Sequence, residues 1–152
     1  MAGASEDRVR TNREMLRIRD LLDRDYAEPV DISTLARQAA MSPDHLIRTF
    51  SATFGETPHR YLQRRRVERA MFLLRTTDLP VTEVCLRVGY DSLGAFSQLF
   101  SSIVGVSPSA YRADDANHPP DGPHNSFVKR WTRPSTHTHP SISRKRAPGG
   151  DA

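Results

Sequence analysis

Apolar residues along the first two thirds of the chain recur at helical spacing, and no segment shows the strict alternation that marks a strand. The first apolar line runs Met15, Ile18 and Leu22, until EPVD breaks it. Thr11 has capping-box spacing to Glu14, which predicts a helix starting there, with residues 1–10 disordered. Asp31 then caps a short helix carrying Ile32, Leu35, Ala36 and Ala39. Ser42-Pro43 opens the next, with Leu46, Phe50 and Phe54 on one face and Gly55 closing it. A longer helix follows from Thr57-Pro58 to about Arg75.

The pattern then starts again. PVTEVCLRVG predicts a short helix with Val81, Val84, Cys85 and Val88 inward, and SLGAFSQLFSSIVG a second helix with apolar Phe96 and Phe100. A last helix begins at Ser107-Pro108. The words FGETPHRY and VGVSPSAY are counterparts, pairing Gly55 with Gly105, Pro58 with Pro108 and Tyr61 with Tyr111. Ala36 aligns with Cys85 but Phe50 with Phe100, so the second turn holds one more residue. Two short helices joined by a tight turn form a helix-turn-helix unit, and the chain carries two. A stacked helical array is the alternative, but such arrays need three or more repeats.

The expected fold is therefore all-α, with about seven helices. Helix-turn-helix units at about 31–55 and 80–105 are joined by a linker helix at about 58–75, within an ordered region spanning 11–113. Residues 114–152 are rich in Pro, Gly, Ser and His and read as a disordered tail.

Composition adds little to this. The chain has 152 residues, a formal charge of +4 and one cysteine. The modest cationic excess favours an anionic partner, and the absence of an apolar run of membrane-spanning length points to a cytoplasmic protein. Cys85 lies on an inward line and reads as core, and with no second thiol there is no disulfide or Cys-x-x-Cys site. No Gly-rich phosphate loop, His-Glu-x-x-His or paired-carboxylate cluster is present, so neither an enzyme nor a cofactor or metal site is expected. His137 and His139 lie in the tail without a framework to hold a metal.

Charge distribution says more than total charge. On a helical wheel, the side of the first Phe helix opposite its apolar face carries Asp44, His45, Arg48, Ser51 and Ala52. Arg48 has the geometry to bond guanine O6 and N7 together, and Asp44 can accept from cytosine N4. His45 can read a base or touch phosphate. The second helix presents Gly94, Ala95, Ser97, Gln98, Ser101 and Ser102. Gln98, in the place of Arg48, can pair with adenine, and Ala95 can meet a thymine methyl. In the linker run QRRRVER, Arg64, Arg65 and Arg69 are expected to neutralise phosphates, whereas Arg66 shares the apolar stripe of Leu62, Ala70 and Leu73 and reads as packed. The tail word FVKRWTRP, with Lys129, Arg130 and Arg133 around Trp131, can grip phosphate or dock on a protein, which leaves a partner-binding accessory module as the alternative function.

The stretch LARQAAMSPDHLIRTFSATFGETPHRYLQRRRVERAMFLLRTT, followed by VTEVCLRVGYDSLGAFSQLFSSIVGVSPSAYR, resembles the DNA-binding domain of AraC/XylS transcription regulators. The resemblance covers the ordered region and implies two recognition helices entering successive major grooves of one duplex. It implies base-reading roles for Asp44, Ile47 and Arg48, and for Leu93, Gly94, Ala95, Ser97 and Gln98, although the wheel puts Ile47 and Leu93 nearer the flank. Ser51 and Ser101 join the expected phosphate set. Double-stranded DNA is the implied partner, with RNA polymerase contact and a monomer on DNA. The short, stand-alone members of the family are the ones this chain resembles.

Overall fold

A computed structural model describes residues 2–115, and the basic tail around Trp131 lies outside them. The described chain is all-α, in the order α1 (Ala2–Arg24), α2 (Ile32–Gln38), α3 (Pro43–Phe54), α4 (Pro58–Thr76), α5 (Val81–Arg87), α6 (Leu93–Val104) and α7 (Pro108–Asp115).

The starts of α2, α3, α4 and α6 follow hydroxyl or carboxyl caps, whereas α5 begins after Pro80 with no side-chain cap. The side chains of Asp31, Ser42, Thr57 and Ser92 accept from the backbone N–H groups of Ser33, His45, Arg60 and Ala95, each satisfying a donor with no partner inside the helix. The helix α1 departs from expectation: it begins at Ala2 rather than Thr11, so residues 2–10 are helical, not disordered. Nothing in SEDRVRTNRE breaks a helix, and Arg10–Asp7 and Arg17–Glu14 ion pairs support it at i,i+3 spacing. Thr11 has the pattern of a cap but sits inside a run of adequate helix formers.

Two separate cores form on the central helix α4. Met15, Ile18 and Leu22 of α1 join Ala36, Leu46, Phe50 and Tyr61 in the first. The second gathers Val67, Ala70, Met71, Leu73 and Leu74 of α4 with Val84, Cys85, Val88, Phe96, Phe100, Ile103, Val104 and Tyr111. The repeated aromatic word makes the same contact in each: Phe50 meets Tyr61 at 5.8 Å and 75°, and Phe100 meets Tyr111 at 5.7 Å and 68°. Edge-on pairs of this kind set ring quadrupoles in their favourable orientation. Cys85 is core: burial, and then the Asp91 carboxylate, push its thiol above the ordinary value.

Corresponding turns of the two units pass through the left-handed region at equivalent positions, once at an alanine and once at a glycine. Ala40 and Gly89 both have positive φ, 54° and 95°, and the next residue's N–H closes a six-residue turn onto Ala36 O and Cys85 O respectively. Gly89 has no substitute, since an added Cβ would sit 2.7 Å from the Ala27 carbonyl oxygen. Ala40 carries the left-handed penalty that Gly89 avoids. Replacing it by glycine should stabilise the protein by about 0.5–1 kcal/mol, a penalty of about 1–2 relieved against about 0.5–1 of added unfolded-state entropy. Thermal unfolding checks this, with a midpoint rise of roughly 2–8 °C expected and a fall overturning it.

Candidate nucleic-acid interface

The helices α3 and α6 are built alike from the sequence upward. Each is twelve residues long, capped by serine at its start and ended by a glycine in the left-handed region, Gly55 at φ 78° and Gly105 at φ 93°. Leu46 and Phe50 are fully buried in one, Phe96 and Phe100 in the other. With those faces fixed inward, the opposite faces must look outward.

Asp44, His45 and Arg48 are exposed on α3, as are Gly94, Ala95 and Gln98 on α6. Ile47 and Ser97 are half-buried at equivalent places, and Leu93, at the start of α6, is 42% exposed. Arg48 has no carboxylate partner among the described residues, so its five donors are available to a ligand. The Ser51 hydroxyl donates to the Ile47 carbonyl at 2.7 Å, so it must turn before it can donate to a phosphate oxygen. Ser101 occupies the equivalent half-buried place on α6.

The linker arginines separate into unlike groups. Arg64, expected at phosphates, is 5% exposed and held between Glu56 and Glu68, with Nη2 2.8 Å from Glu56 Oε1 and Nη1 2.7 Å from Glu68 Oε1. Its guanidinium also lies 4.9 Å from the Tyr61 ring centroid. Burial removes Arg64 from the phosphate set. Arg65 is partly exposed, but its donors go to Asp23 at 2.8 Å and Glu68 at 2.7 Å, which offsets its charge locally. Asp23 also accepts from the Tyr61 hydroxyl at 2.6 Å, and burial together with this bond holds that phenol protonated, well above its ordinary pKa. Arg69 is exposed and stacks 4.7 Å from the Phe72 ring centroid. Arg66 donates to the carbonyls of Tyr26 and Glu28, a role that periodicity places only as far as "packed".

No described helix is long and apolar enough to cross a membrane. Among the described residues, no group of three His, Cys, Asp or Glu could hold a metal ion.

Comparison with known proteins bears on the same segment. A helix-turn-helix domain family matches residues 35–114. The HTH-type transcriptional regulator Rv1931c of Mycobacterium tuberculosis is 41% identical over 81 residues, covering 53% of this chain and 31% of that protein. The transcriptional activator AarP of Providencia stuartii is 32% identical over 89 residues, covering 59% of this chain and 66% of that one. The DNA-binding domain of AdpA, a global transcriptional factor solved with a target DNA, superposes with a TM-score of 0.65 at 34% identity, covering 71% of this chain and 97% of that domain. These relatives are transcription regulators, not enzymes. The match spans between 27% and 32% of the length of five of the curated relatives.

Proposed function

The chain belongs to the AraC-type helix-turn-helix family of DNA-binding transcription regulators, and from that premise we propose that it reads an asymmetric duplex site with α3 and α6 in successive major-groove segments. One observation carries this reading. Two exposed faces, centred on Arg48 and Gln98, stand on helices fixed by the same buried Phe and the same Phe–Tyr contact. The DNA-bound AdpA domain, similar over nearly its whole length, supports duplex DNA as the ligand.

Base reading is assigned to Asp44, His45, Ile47 and Arg48 on α3, and to Leu93, Gly94, Ala95, Ser97 and Gln98 on α6. Arg48 pairs with guanine and Gln98 with adenine, each through two hydrogen bonds to one base edge. The phosphate set becomes Ser51, Ser101 and Arg69, with Arg65 secondary because Asp23 and Glu68 already hold it. The protein acts in the cytoplasm as a monomer on its site and contacts RNA polymerase.

Selection of bound fragments from random duplex DNA tests the assignment. Arg48→Ala should lose about 1–3 kcal/mol of discrimination and relax preference at one or two positions of a single half-site. An unchanged sequence preference overturns the role. Arg69→Ala, carried through the same selection, should weaken all sequences alike and lower the salt slope by about 1.

A further inference from the structure

The helix packing divides at α4: α1 and α3 pack on it at one side, while α5 and α7 pack on it and on α6 at the other. The two reading helices thus share a rod but pack into different cores. A rod of nineteen residues fixes their separation only as well as each unit is held against it.

A second connection bypasses the rod. The α1–α2 loop reaches the α5–α6 turn so closely that the Ala27 carbonyl oxygen occupies the space a Cβ on Gly89 would need, 2.7 Å away. Arg66 sits where loop, turn and rod meet. Its Nε donates to Tyr26 O at 2.6 Å and its Nη2 to Glu28 O at 3.0 Å, both in the loop of the first unit. The same guanidinium lies 5.1 Å from the ring centroid of Tyr90, in the turn of the second. Tyr26 itself packs against the second core. No carboxylate pairs with Arg66 among the described residues, so its planar fork is spent on two carbonyls and one ring.

We infer that Arg66 is a positioning residue, a three-way clamp that fixes the separation and relative rotation of α3 and α6 and thereby sets the half-site spacing the protein accepts. This rests on the two-groove reading proposed above. One added base pair moves a half-site by about 3.4 Å and turns it by about 34°, more than a clamped pair of helices can follow. Without the clamp, the units are joined by α4 and the bare loop–turn contact, and they tolerate a wider range of spacings.

The test combines a geometric and a binding readout. Spin labels at Thr53→Cys and Ser102→Cys, both exposed positions, are placed in a Cys85→Ala background, and their distance distribution is measured by pulsed EPR on the free protein. Affinity is measured on the best selected duplex and on the same duplex with one base pair inserted between half-sites. With Arg66 present, the distribution should be narrow and the insertion should cost at least tenfold in affinity. In Arg66→Gln the distribution should broaden and the insertion penalty fall to threefold or less, with Arg66→Lys between the two. Should Arg66→Gln fail to fold by circular dichroism, Arg66→Lys carries both measurements alone, since it keeps the stem and a donor. A folded variant with an unbroadened distribution and the full insertion penalty overturns the clamp and leaves two-groove reading intact. If the protein with Arg66 is itself indifferent to the insertion, two-groove reading fails and the spacing consequence with it, while the label distances still decide whether Arg66 holds the units together.

Discussion

Arg64→Ala should unfold a large part of the population at moderate temperature, with a loss of about 3–5 kcal/mol in urea denaturation. Glu56 is 9% exposed and accepts from Arg64 twice, from Nε at 3.0 Å and from Nη2 at 2.8 Å. Removing the arginine leaves that carboxylate buried beside a void, with the desolvation already incurred and nothing to offset it. The break also falls at a sensitive place, because Glu56 lies between Gly55, which ends α3, and Thr57, which caps α4. The pair therefore sets the angle at which the first reading helix leaves the rod.

Two comparisons separate this account from a general intolerance of the linker to alanine. Arg65→Ala removes a partly exposed side chain that Asp23 and Glu68 share with water, and should cost no more than about 1 kcal/mol. Arg64→Lys keeps the charge but has no fork to span Glu56 and Glu68 together, and should recover only part of the loss. Equal effects of Arg64→Ala and Arg65→Ala would remove the distinction between buried and surface pairing.

The same residue shows where sequence patterning stops being informative. The reading helices α3 and α6 are legible because each has one dry face, so a wheel assigns Leu46, Phe50, Phe96 and Phe100 inward and Arg48 and Gln98 outward. The linker helix α4 is central and buries residues on more than one side, including Tyr61, Leu62, Arg64, Val67, Ala70 and Met71. A single-stripe wheel puts Arg64 in solvent because it allows only one dry face. Its burial follows from Glu56 eight positions upstream, a partner that periodicity does not weigh. Arg66 falls on the expected stripe, but the carbonyls it binds, about forty positions earlier, are set by the loop–turn approach at Gly89. The start of α1 fails for a different reason: a local capping signal at Thr11 is outweighed by the helix-compatible residues before it.

The duplicated cores lead to the second large effect. Phe50→Ala and Phe100→Ala each remove a fully buried ring, and each should cost about 3–5 kcal/mol. The loss should stay on one side of α4. Phe50 touches Phe54 at 4.6 Å and Tyr61 at 5.8 Å within the first core, and Phe100 touches Phe96 at 5.8 Å and Tyr111 at 5.7 Å within the second. Neither core borrows a buried side chain from the other. Hydrogen exchange on Phe100→Ala should therefore show lost protection in α5, α6 and α7, with α1 and α3 still protected, and Phe50→Ala the reverse. Footprints should follow, contracting to the half-site read by the surviving helix. Uniform loss of protection along both variants would mean that the two cores unfold as one cooperative unit, and that the coupling carried by α4 and Arg66 exceeds the stability of either core alone.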